Sequence, residues 1–337
     1  MKLASIVTPG GPRAAVVSFE DGVPLAHVIA DTTLDDLVRG GLDAALGVAS
    51  HALAAVEGIP LADLELDVPI HPGAIRDFVA FEEHVEGVRR SVDNAVGVPE
   101  QWYAAPTFYF TNPHRLFAHG QEIAVPGGSR ALDLELEIGI VIGRDVSDVD
   151  PEQGAAAIFG YTPFNDFSAR DLQGAEMKVG LGPCKGKDFA TALGPWIVTA
   201  DELAPHTDAD GFLDLACHVE VDGEIIGEDL TSHSGWTFGT LVSYASRDSL
   251  VRAGDVLGSG TIGNGGCLAE LWGRHDEQVP TPLSPGSVVT ITIEHLGSLT
   301  NTIVDGRPGT PLAPPRRFTA DERAARRVAR GLRGSFA

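Results

Sequence analysis

The sequence predicts a mainly β protein with some α-helix, in the α+β class. Three segments, 132–142, 215–221 and 288–294, alternate with the period of two that is typical of strands. Near the N-terminus, a hairpin pattern precedes an alanine- and leucine-rich stretch with helical spacing. With 337 residues, 43% of them hydrophobic, the chain is long enough for one large folded domain and a small one.

The first seventy residues predict a small α+β domain. Residues 14–19 and 25–29 have the composition of two strands joined by a turn at Asp21-Gly22. Residues 32–56 predict one or two helices, and the prolines that follow mark the passage into a second region. We therefore expect a small N-terminal α+β domain at 1–70, a main domain at 71–310 and a basic C-terminal tail with a helix at 311–337.

The segment 132–142 carries two carboxylates on one side of a predicted strand. Glu135 and Glu137 face one way, because residues two apart in a strand share a face, while the leucines and isoleucines face the other. Asp166 follows within thirty residues and adds a third carboxylate. Oxygen ligands at this density suit Mg²⁺, Ca²⁺ or Mn²⁺. The alternative is an ordinary amphipathic strand with a solvated acidic face.

The remaining elements follow from local signals. Asp150 and Pro151 are typical of a helix start, and we expect that helix over 152–159. Residues 211–231 predict a hairpin that turns at Asp222-Gly223. A capping box at Thr319 opens a C-terminal helix in the tail, which holds seven of the 24 basic residues. We expect this helix to be solvated and to pack on an acidic subunit of the same protein.

Charge and cysteine content exclude several classes of protein. A net charge of −23 repels the phosphate backbone, so nucleic acid is not expected as a partner. The three cysteines lack the pairing of a disulfide framework or a zinc site, which indicates a reducing compartment. No stretch has the length of a signal peptide's apolar region or of a membrane span. We expect a cytoplasmic protein with no membrane partner.

A glycine-rich run at 258–263 matches the dinucleotide-binding fingerprint letter for letter. We reject that interpretation, because Gly265 and Gly266 follow where a helix should begin and no βαβ pattern surrounds the run.

Several motifs together resemble the fumarylacetoacetate hydrolase family. They are the Glu-x-Glu run at 135–137, the run 165–173 (NDFSARDLQ), the segment 182–191, and residues 260–262 with 270–272. Each motif is weak alone, but all occur in the family's order between about residues 71 and 305. The resemblance, to a long-form bacterial member, implies a mixed β-sandwich roll, a catalytic domain within 71–310 and a homodimer.

The resemblance also implies roles for individual residues. Asp77 precedes His84 by seven positions, the family's spacing between a metal-site aspartate and the general base. Glu270 would orient His84, and Lys187 would stabilise negative charge on a substrate oxygen. The implied metal ligands are Glu135, Glu137, Asp166 and Asp77, holding Mg²⁺ or Mn²⁺ with Ca²⁺ as the alternative. The implied substrate contacts are Gln173, Thr261, Thr191 and Arg76.

The activity implied is metal-dependent hydrolysis of a carbon–carbon bond beside a ketone, in a diketo or acylpyruvate-type acid. His84 would activate the attacking water. Relatives with the same carboxylates act as decarboxylases, isomerases, tautomerases or hydratases through a metal-stabilised enolate, so these activities stay as alternatives, and a non-catalytic binding protein is a third. Val79 and Met177 stand where long-form enzymes place tyrosines. This departure indicates a less polar or differently shaped substrate than fumarylacetoacetate.

Overall fold

The computed structural model describes residues 1–93, 95–275 and 278–335. Two compact units are present, Met1–Arg307 and Pro308–Ala337. The strands are β1 (Lys2–Ile6), β2 (Arg13–Glu20), β3 (Val23–Val28), β4 (Ile59–Pro60), β5 (Leu66–Asp67), β6 (Ile75–Phe78), β7 (Phe108–Thr111), β8 (Leu116–Phe117), β9 (Glu122–Ala124), β10 (Leu132–Asp133), β11 (Leu136–Ile142), β12 (Ile158–Asp166), β13 (Ser168–Ala169), β14 (Thr191–Leu193), β15 (Ile197–Thr199), β16 (Ala216–Val221), β17 (Glu224–Leu230), β18 (Val256–Gly258), β19 (Val288–Ile293) and β20 (Gly297–Val304). The α-helices are α1 (Leu34–Gly40), α2 (Leu42–Ala55), α3 (Glu82–Val88), α4 (Pro151–Ala155), α5 (Arg170–Met177), α6 (Ala200–Leu203), α7 (Phe238–Ser246), α8 (Leu268–His275) and α9 (Ala320–Ala329).

Two mixed sheets build the first unit. The large sheet has the order β4-β3-β2-β1-β15-β12-β11-β18-β6-β7, and the five-stranded sheet has the order β17-β16-β19-β20-β9. One hydrophobic core joins them, since Ile138 and Ile140 of β11 belong to the same buried cluster as Val219, Ile291 and Ile303 of the smaller sheet. This arrangement confirms the predicted fold class.

The N-terminal segment shares the large sheet and a second core with the rest of the unit. The hairpin at β2 and β3 turns at Asp21-Gly22 as predicted, and β1 pairs with β15. Residues of α1 and α2 pack in a cluster that also contains Ile75, Val141 and Phe159 of the main region. The boundary drawn at residue 70 therefore crosses a continuous sheet, and the three-part division of the chain stays a prediction.

Adjacent strands bring acidic residues from distant parts of the sequence to one place. The sheet order β12-β11-β18-β6-β7 places Asp166, Glu137, Gly258, Asp77 and Tyr109 on successive neighbours. The register pairs Gly258 with Asp77, and Asp77 in turn with Tyr109. The site described below is built on this group of strands.

Two local predictions need correction. The helix expected over 152–159 ends at Ala155, because Ile158 and Phe159 are core residues of β12. The acidic strand has no solvated face: every residue of β11 is buried, and Glu135 and Glu137 are 2% and 0% exposed. The solvated-strand alternative is therefore wrong.

The predicted hairpin at 211–231 forms as β16 and β17, and its turn lies at Asp222-Gly223. In the second unit, α9 begins with the predicted capping box, in which Thr319 accepts from the Glu322 backbone N–H and Glu322 accepts from that of Thr319. Within the described residues, no helix combines the length and apolar character needed to cross a bilayer.

Candidate active site

A cavity of about 500 Å³ opens beside the acidic strands. Its wall includes Asp77, His84, Glu135 and Lys187, which the sequence placed in one site although they are spread over more than one hundred residues. Gln173 and Thr261, two of the predicted substrate contacts, also line it. These residues are thus close enough together to act on a single small molecule.

The carboxylates of Asp77, Glu135 and Glu137 form the centre of the site. One oxygen from each lies within 4.8 Å of the others, and all three side chains are buried. Asp166 is also fully buried and is joined to this group through Lys187, whose Nζ lies 2.5 Å from Glu135 Oε2 and 2.7 Å from Asp166 Oδ2. Four carboxylates so close together require positive charge to offset their desolvation and mutual repulsion.

Two observations show that a divalent cation fits these residues. Asp77 Oδ1 and Asp166 Oδ1 are buried without a hydrogen-bond partner among the described residues. Gly258 leaves space next to the carboxylates of Asp77 and Glu137, since a Cβ at that position would lie 2.3 Å from Asp77 Oδ1 and 3.0 Å from Glu137 Oε2. The donors are carboxylate oxygens, which are the ligands that Mg²⁺, Mn²⁺ and Ca²⁺ prefer.

The electrostatics separate Glu135 from the other carboxylates. Burial disfavours its charged form, but the neighbouring Lys187 and Arg170 outweigh that effect and lower the pKa of Glu135 to about 2. Burial raises the pKa of Asp77 and Glu137 well above the usual range, and it also raises the pKa of Asp166. Lys187 pairs with both Glu135 and Asp166, so Asp77 and Glu137 are the carboxylates that gain most from a bound cation.

Lys187 keeps its charge in this setting. Burial opposes the ammonium, yet Asp166 and Glu135 raise its pKa. The ammonium has three N–H donors, and two of them are used on Asp166 and Glu135. The third is available to a substrate oxygen in the cavity.

His84 is buried on α3 and lines the cavity. Burial lowers the pKa of His84 to about 3, so the imidazole is neutral, and a proton taken up there needs a neighbouring negative charge to stabilise it. Its Nδ1 lies 4.0 Å from Glu270 Oε2 and 3.7 Å from Cys267 Sγ. Glu270 therefore lies beside His84, at a distance longer than a direct hydrogen bond.

Glu270 has one oxygen in use and one without a partner. Its Oε1 accepts from the Gly265 N–H at 2.9 Å and pairs with Arg274. Its Oε2, the oxygen nearer to His84, is buried and has no hydrogen-bond partner among the described residues. Burial raises the pKa of Glu270 to about 7, which places its titration near neutral pH.

Asp133 is a central residue to which the sequence assigned no role. Its Oδ1 accepts from Leu268 N–H at 2.7 Å, and its Oδ2 accepts from Ala269 N–H at 3.0 Å, so it caps the start of α8. Oδ2 also accepts from Arg170 Nε at 2.8 Å, and Arg170 Nη2 pairs with Glu135 at 2.7 Å. Asp133 thus connects the helix that carries Glu270, through Arg170, to the buried carboxylate of Glu135.

Two predicted substrate contacts are not brought to the cavity wall. Arg76 lies on β6 beside Asp77, and successive residues of a strand face opposite sides. Its guanidinium binds Asp255 at 3.2 Å and the Leu250 carbonyl at 3.0 Å. Thr191, in β14, is buried opposite Asp166 in the sheet and does not line the cavity. We leave both out of the proposed substrate site.

Tyr109 and Arg170 are further site residues that the sequence analysis did not single out. Tyr109 donates its hydroxyl to Asp166 Oδ2 at 2.5 Å, and burial raises the pKa of Tyr109 well above its usual value. The only sequence signals were an aromatic-rich stretch at 102–110 and the presence of Arg170 within the motif at 165–173.

Comparisons with known proteins agree with this architecture. The family profile described as "Fumarylacetoacetate (FAA) hydrolase C-terminal" matches residues 73–304. A fumarylacetoacetase of Arabidopsis thaliana is 30% identical over 259 residues, which cover 63% of this chain and 61% of that protein. This chain therefore belongs to the fumarylacetoacetate hydrolase family. The match to the plant protein spans about three fifths of that protein's length.

Solved structures show the same fold across nearly the whole chain. A 5-carboxymethyl-2-hydroxymuconate delta-isomerase from Mycobacterium smegmatis covers 91% of this chain and 100% of its own, with 26% identity and a TM-score of 0.65. A maleylpyruvate hydrolase from Sphingobium sp. SYK-6, in complex with manganese (II) ion and pyruvate, has the same coverage and TM-score at 21% identity, a likeness of fold alone. Proteins of this fold thus include both hydrolases and isomerases.

Proposed function

We propose that this protein is a metal-dependent hydrolase that cleaves a carbon–carbon bond of a diketo or acylpyruvate-type acid. The observation that carries the proposal is the position of His84, a buried neutral base that lines the same cavity as Asp77, Glu135 and Lys187. A base beside a cation site suits activation of water next to a polarised ketone.

The proposed cation is Mg²⁺ or Mn²⁺, with Ca²⁺ as the alternative, held by Asp77, Glu135, Glu137 and Asp166. When bound there, it would supply Lewis-acid polarisation of a chelated keto acid. Asp77 and Asp166 are included because each has a buried oxygen without a hydrogen-bond partner in the described chain.

The protein's own residues then divide the remaining work. His84 takes a proton from water, and the Glu270 carboxylate at 4.0 Å stabilises the imidazolium that results. Lys187 offers its remaining N–H to the oxygen that becomes negative as the hydroxide adds. When that oxygen re-forms a carbonyl, the carbon–carbon bond breaks, and the enolate that leaves takes the proton held by the His84 imidazolium. Gln173 and Thr261 hold the substrate from the cavity wall. No side chain is acylated in this scheme.

A second candidate function is isomerisation of a hydroxy-dienoic acid. It is favoured by the similarity to the Mycobacterium smegmatis isomerase over 91% of the chain. Such a reaction needs the carboxylates and a cation but no attacking water. Decarboxylation uses the same carboxylate site without added water, whereas hydration adds water across a double bond. The two candidates therefore differ in how much they depend on His84 and Glu270.

The decisive experiment is turnover by metal-stripped protein with and without added Mg²⁺ or Mn²⁺. Acylpyruvates, fumarylpyruvate, fumarylacetoacetate and oxaloacetate are supplied, loss of enol absorbance is followed and products are identified. Metal-restored cleavage into two acids is expected. Metal-restored isomerisation or release of carbon dioxide without cleavage would refute the hydrolase and favour the second candidate.

A pair of histidine variants sharpens the distinction. His84→Gln should abolish cleavage, because no base remains to activate water. His51→Gln is the matched control, since His51 is exposed on α2 and lies outside the cavity wall. Equal cleavage by wild type and His84→Gln would contradict the role of His84.

We also propose that the protein is a cytoplasmic homodimer. The free thiols of Cys184, Cys217 and Cys267 agree with a reducing compartment. The tail beyond residue 307 holds seven arginines in a chain of net charge −23, so it is complementary to the acidic remainder of a second copy. Light scattering coupled to gel filtration measures the mass, and a monomer at micromolar concentration would refute the dimer.

A further inference from the structure

We infer that the cavity selects acids whose acyl group ends in an apolar or aromatic tail. This inference rests on the proposed function, because the metal site fixes where the keto-acid end of the substrate lies. It concerns the apolar part of the cavity wall, here called the apolar end. The residues that form that apolar end are Phe78, Val79, Val88, Trp102, Phe108 and Met177.

Helix α5 carries the change from polar to apolar along a single face. Arg170, Gln173 and Met177 are spaced i, i+3 and i+7, so they follow one another along the cavity over about 10 Å. Arg170 and Gln173 are buried, and Arg170 is paired with Glu135, whereas Met177 is 40% exposed. The helix thus leads from the acidic centre to an apolar opening.

Helix α3 repeats this direction. His84 is followed one turn later by Val88, and both line the cavity. Phe78 and Val79, at and after the end of β6, add apolar groups to the wall. Two helices therefore each place a polar residue near the carboxylates and an apolar residue farther along the same face.

The apolar end is fixed in place by its own contacts. Trp102 is 7% exposed and donates its Nε1–H to the Val79 carbonyl at 2.6 Å. The rings of Phe78 and Phe108 pack with centroids 5.1 Å apart. An aromatic wall formed before the substrate arrives costs little ordering free energy on binding, which favours a flat or apolar group.

Arg89 brings a positive charge to this part of the wall, which also includes the polar residues Gln101 and Thr107. It is half-buried, lines the cavity and donates to the Gly97 carbonyl. If Arg89 instead gripped a second carboxylate, the protein would prefer substrates with an acidic tail. The experiment is designed around this competing outcome.

The test compares two substrates that differ only at the tail. Fumarylpyruvate and crotonylpyruvate share the same unsaturated chain, which ends in a carboxylate in the first and a methyl group in the second. We expect kcat/KM to favour crotonylpyruvate by at least about tenfold, because a carboxylate would be desolvated against apolar side chains. Lengthening a saturated tail from acetyl towards hexanoyl should raise kcat/KM by up to about fourfold per methylene until the apolar end is filled, and benzoylpyruvate should also be accepted.

A lysine variant should reverse the preference. Met177→Lys places a cation at the apolar opening and should raise the fumarylpyruvate-to-crotonylpyruvate ratio at least tenfold. Val179→Lys adds the same charge two residues away, at a position 76% exposed and outside the cavity wall, and should leave the ratio unchanged. A wild-type preference for fumarylpyruvate, or equal ratios in the two lysine variants, would overturn the inference.

A binding measurement separates this inference from the proposed reaction. Both compounds are titrated into Mn²⁺-loaded protein while tryptophan fluorescence is followed, since Trp102 lines the apolar end. Tighter binding of crotonylpyruvate without cleavage would support the apolar end and refute the hydrolase. Tighter binding of fumarylpyruvate would refute the inference whether or not cleavage occurs.

Discussion

Replacing Lys187 by methionine tests the electrostatic logic of the site. Lys187 is 5% exposed, and its Nζ is the shared partner of Glu135 and Asp166. Methionine keeps much of the side chain's length and volume but removes the charge. Breaking a buried ion pair by deleting one partner costs about 3–5 kcal/mol, because the other partner remains buried and unpaired.

That cost converts into a measurable change in melting temperature. Unfolding entropy of about 2.1 cal/mol/K per residue, over the 307 residues of the first unit, gives about 0.6 kcal/mol per kelvin. Metal-free Lys187→Met should therefore melt about 5–8 °C below the wild type. Added Mn²⁺ should raise the variant's melting temperature more than the wild type's, since the cation then replaces the lost positive charge.

The assay is thermal unfolding followed by circular dichroism in EDTA and in Mn²⁺. Lys185→Met is the matched control, because Lys185 is 73% exposed and its ammonium pairs with Asp188 at the surface, so it should melt close to the wild type. Turnover by Lys187→Met should fall about 10²- to 10³-fold even with saturating metal. If metal-free Lys187→Met melted with the wild type, or if Mn²⁺ stabilised both equally, the lysine would not be holding the carboxylates as we argue.

Three further changes probe separate parts of the site. Gly258→Ala would place a methyl carbon 2.3 Å from Asp77 Oδ1. The affinity for Mn²⁺, measured by calorimetry, should therefore fall about 10- to 100-fold. Gly47→Ala is the control, because the added Cβ has nothing within 4 Å. Burial raises the pKa of Glu270 from 4.5 to about 7, so between these two pH values the folded state keeps a proton that the unfolded state loses. The free energy of unfolding therefore falls by about 3 kcal/mol as pH rises from 4.5 to 7. Glu270→Gln should remove this part of the pH dependence of the unfolding free energy, measured in urea. Wild-type activity should rise with pH through about 7 as the Glu270 carboxylate forms. If the difference in unfolding free energy between wild type and Glu270→Gln did not change with pH, the raised pKa of Glu270 would be contradicted. Asp133→Asn should cost about 2–4 kcal/mol and reduce activity, because one acceptor oxygen shared by Ala269 and Arg170 becomes a donor; an unchanged urea midpoint would refute the capping role.

The sequence predicted those features that depend on short stretches of chain. Strand periodicity, the turns at Asp21-Gly22 and Asp222-Gly223, and the capping box at Thr319 are properties of a few neighbouring residues. The end of α4 was missed because Ile158 and Phe159 join a core that is formed by residues far away in the chain. Local pattern could not show that tertiary packing would favour a strand there.

Within the site, the same limit explains what was missed. Asp133 caps α8 from 135 residues away, and Tyr109 reaches Asp166 from 57 residues away. Neither pairing leaves a signal in the spacing of residues. The guanidinium of Arg76 is likewise bound by Asp255, 179 residues away in the sequence, and nothing in the local pattern indicated that pairing.

The two ends of the cavity together determine how a substrate can enter. The carboxylate end is strongly polar, and its own cations are engaged by Glu135, Asp166 and Asp133. A keto-acid head therefore has a favourable place there only when a divalent cation is bound. An apolar tail, by contrast, gains from the wall of Trp102 and Phe108 with or without the cation. Under the proposed function, removing the metal should consequently abolish turnover while leaving residual affinity for the tail.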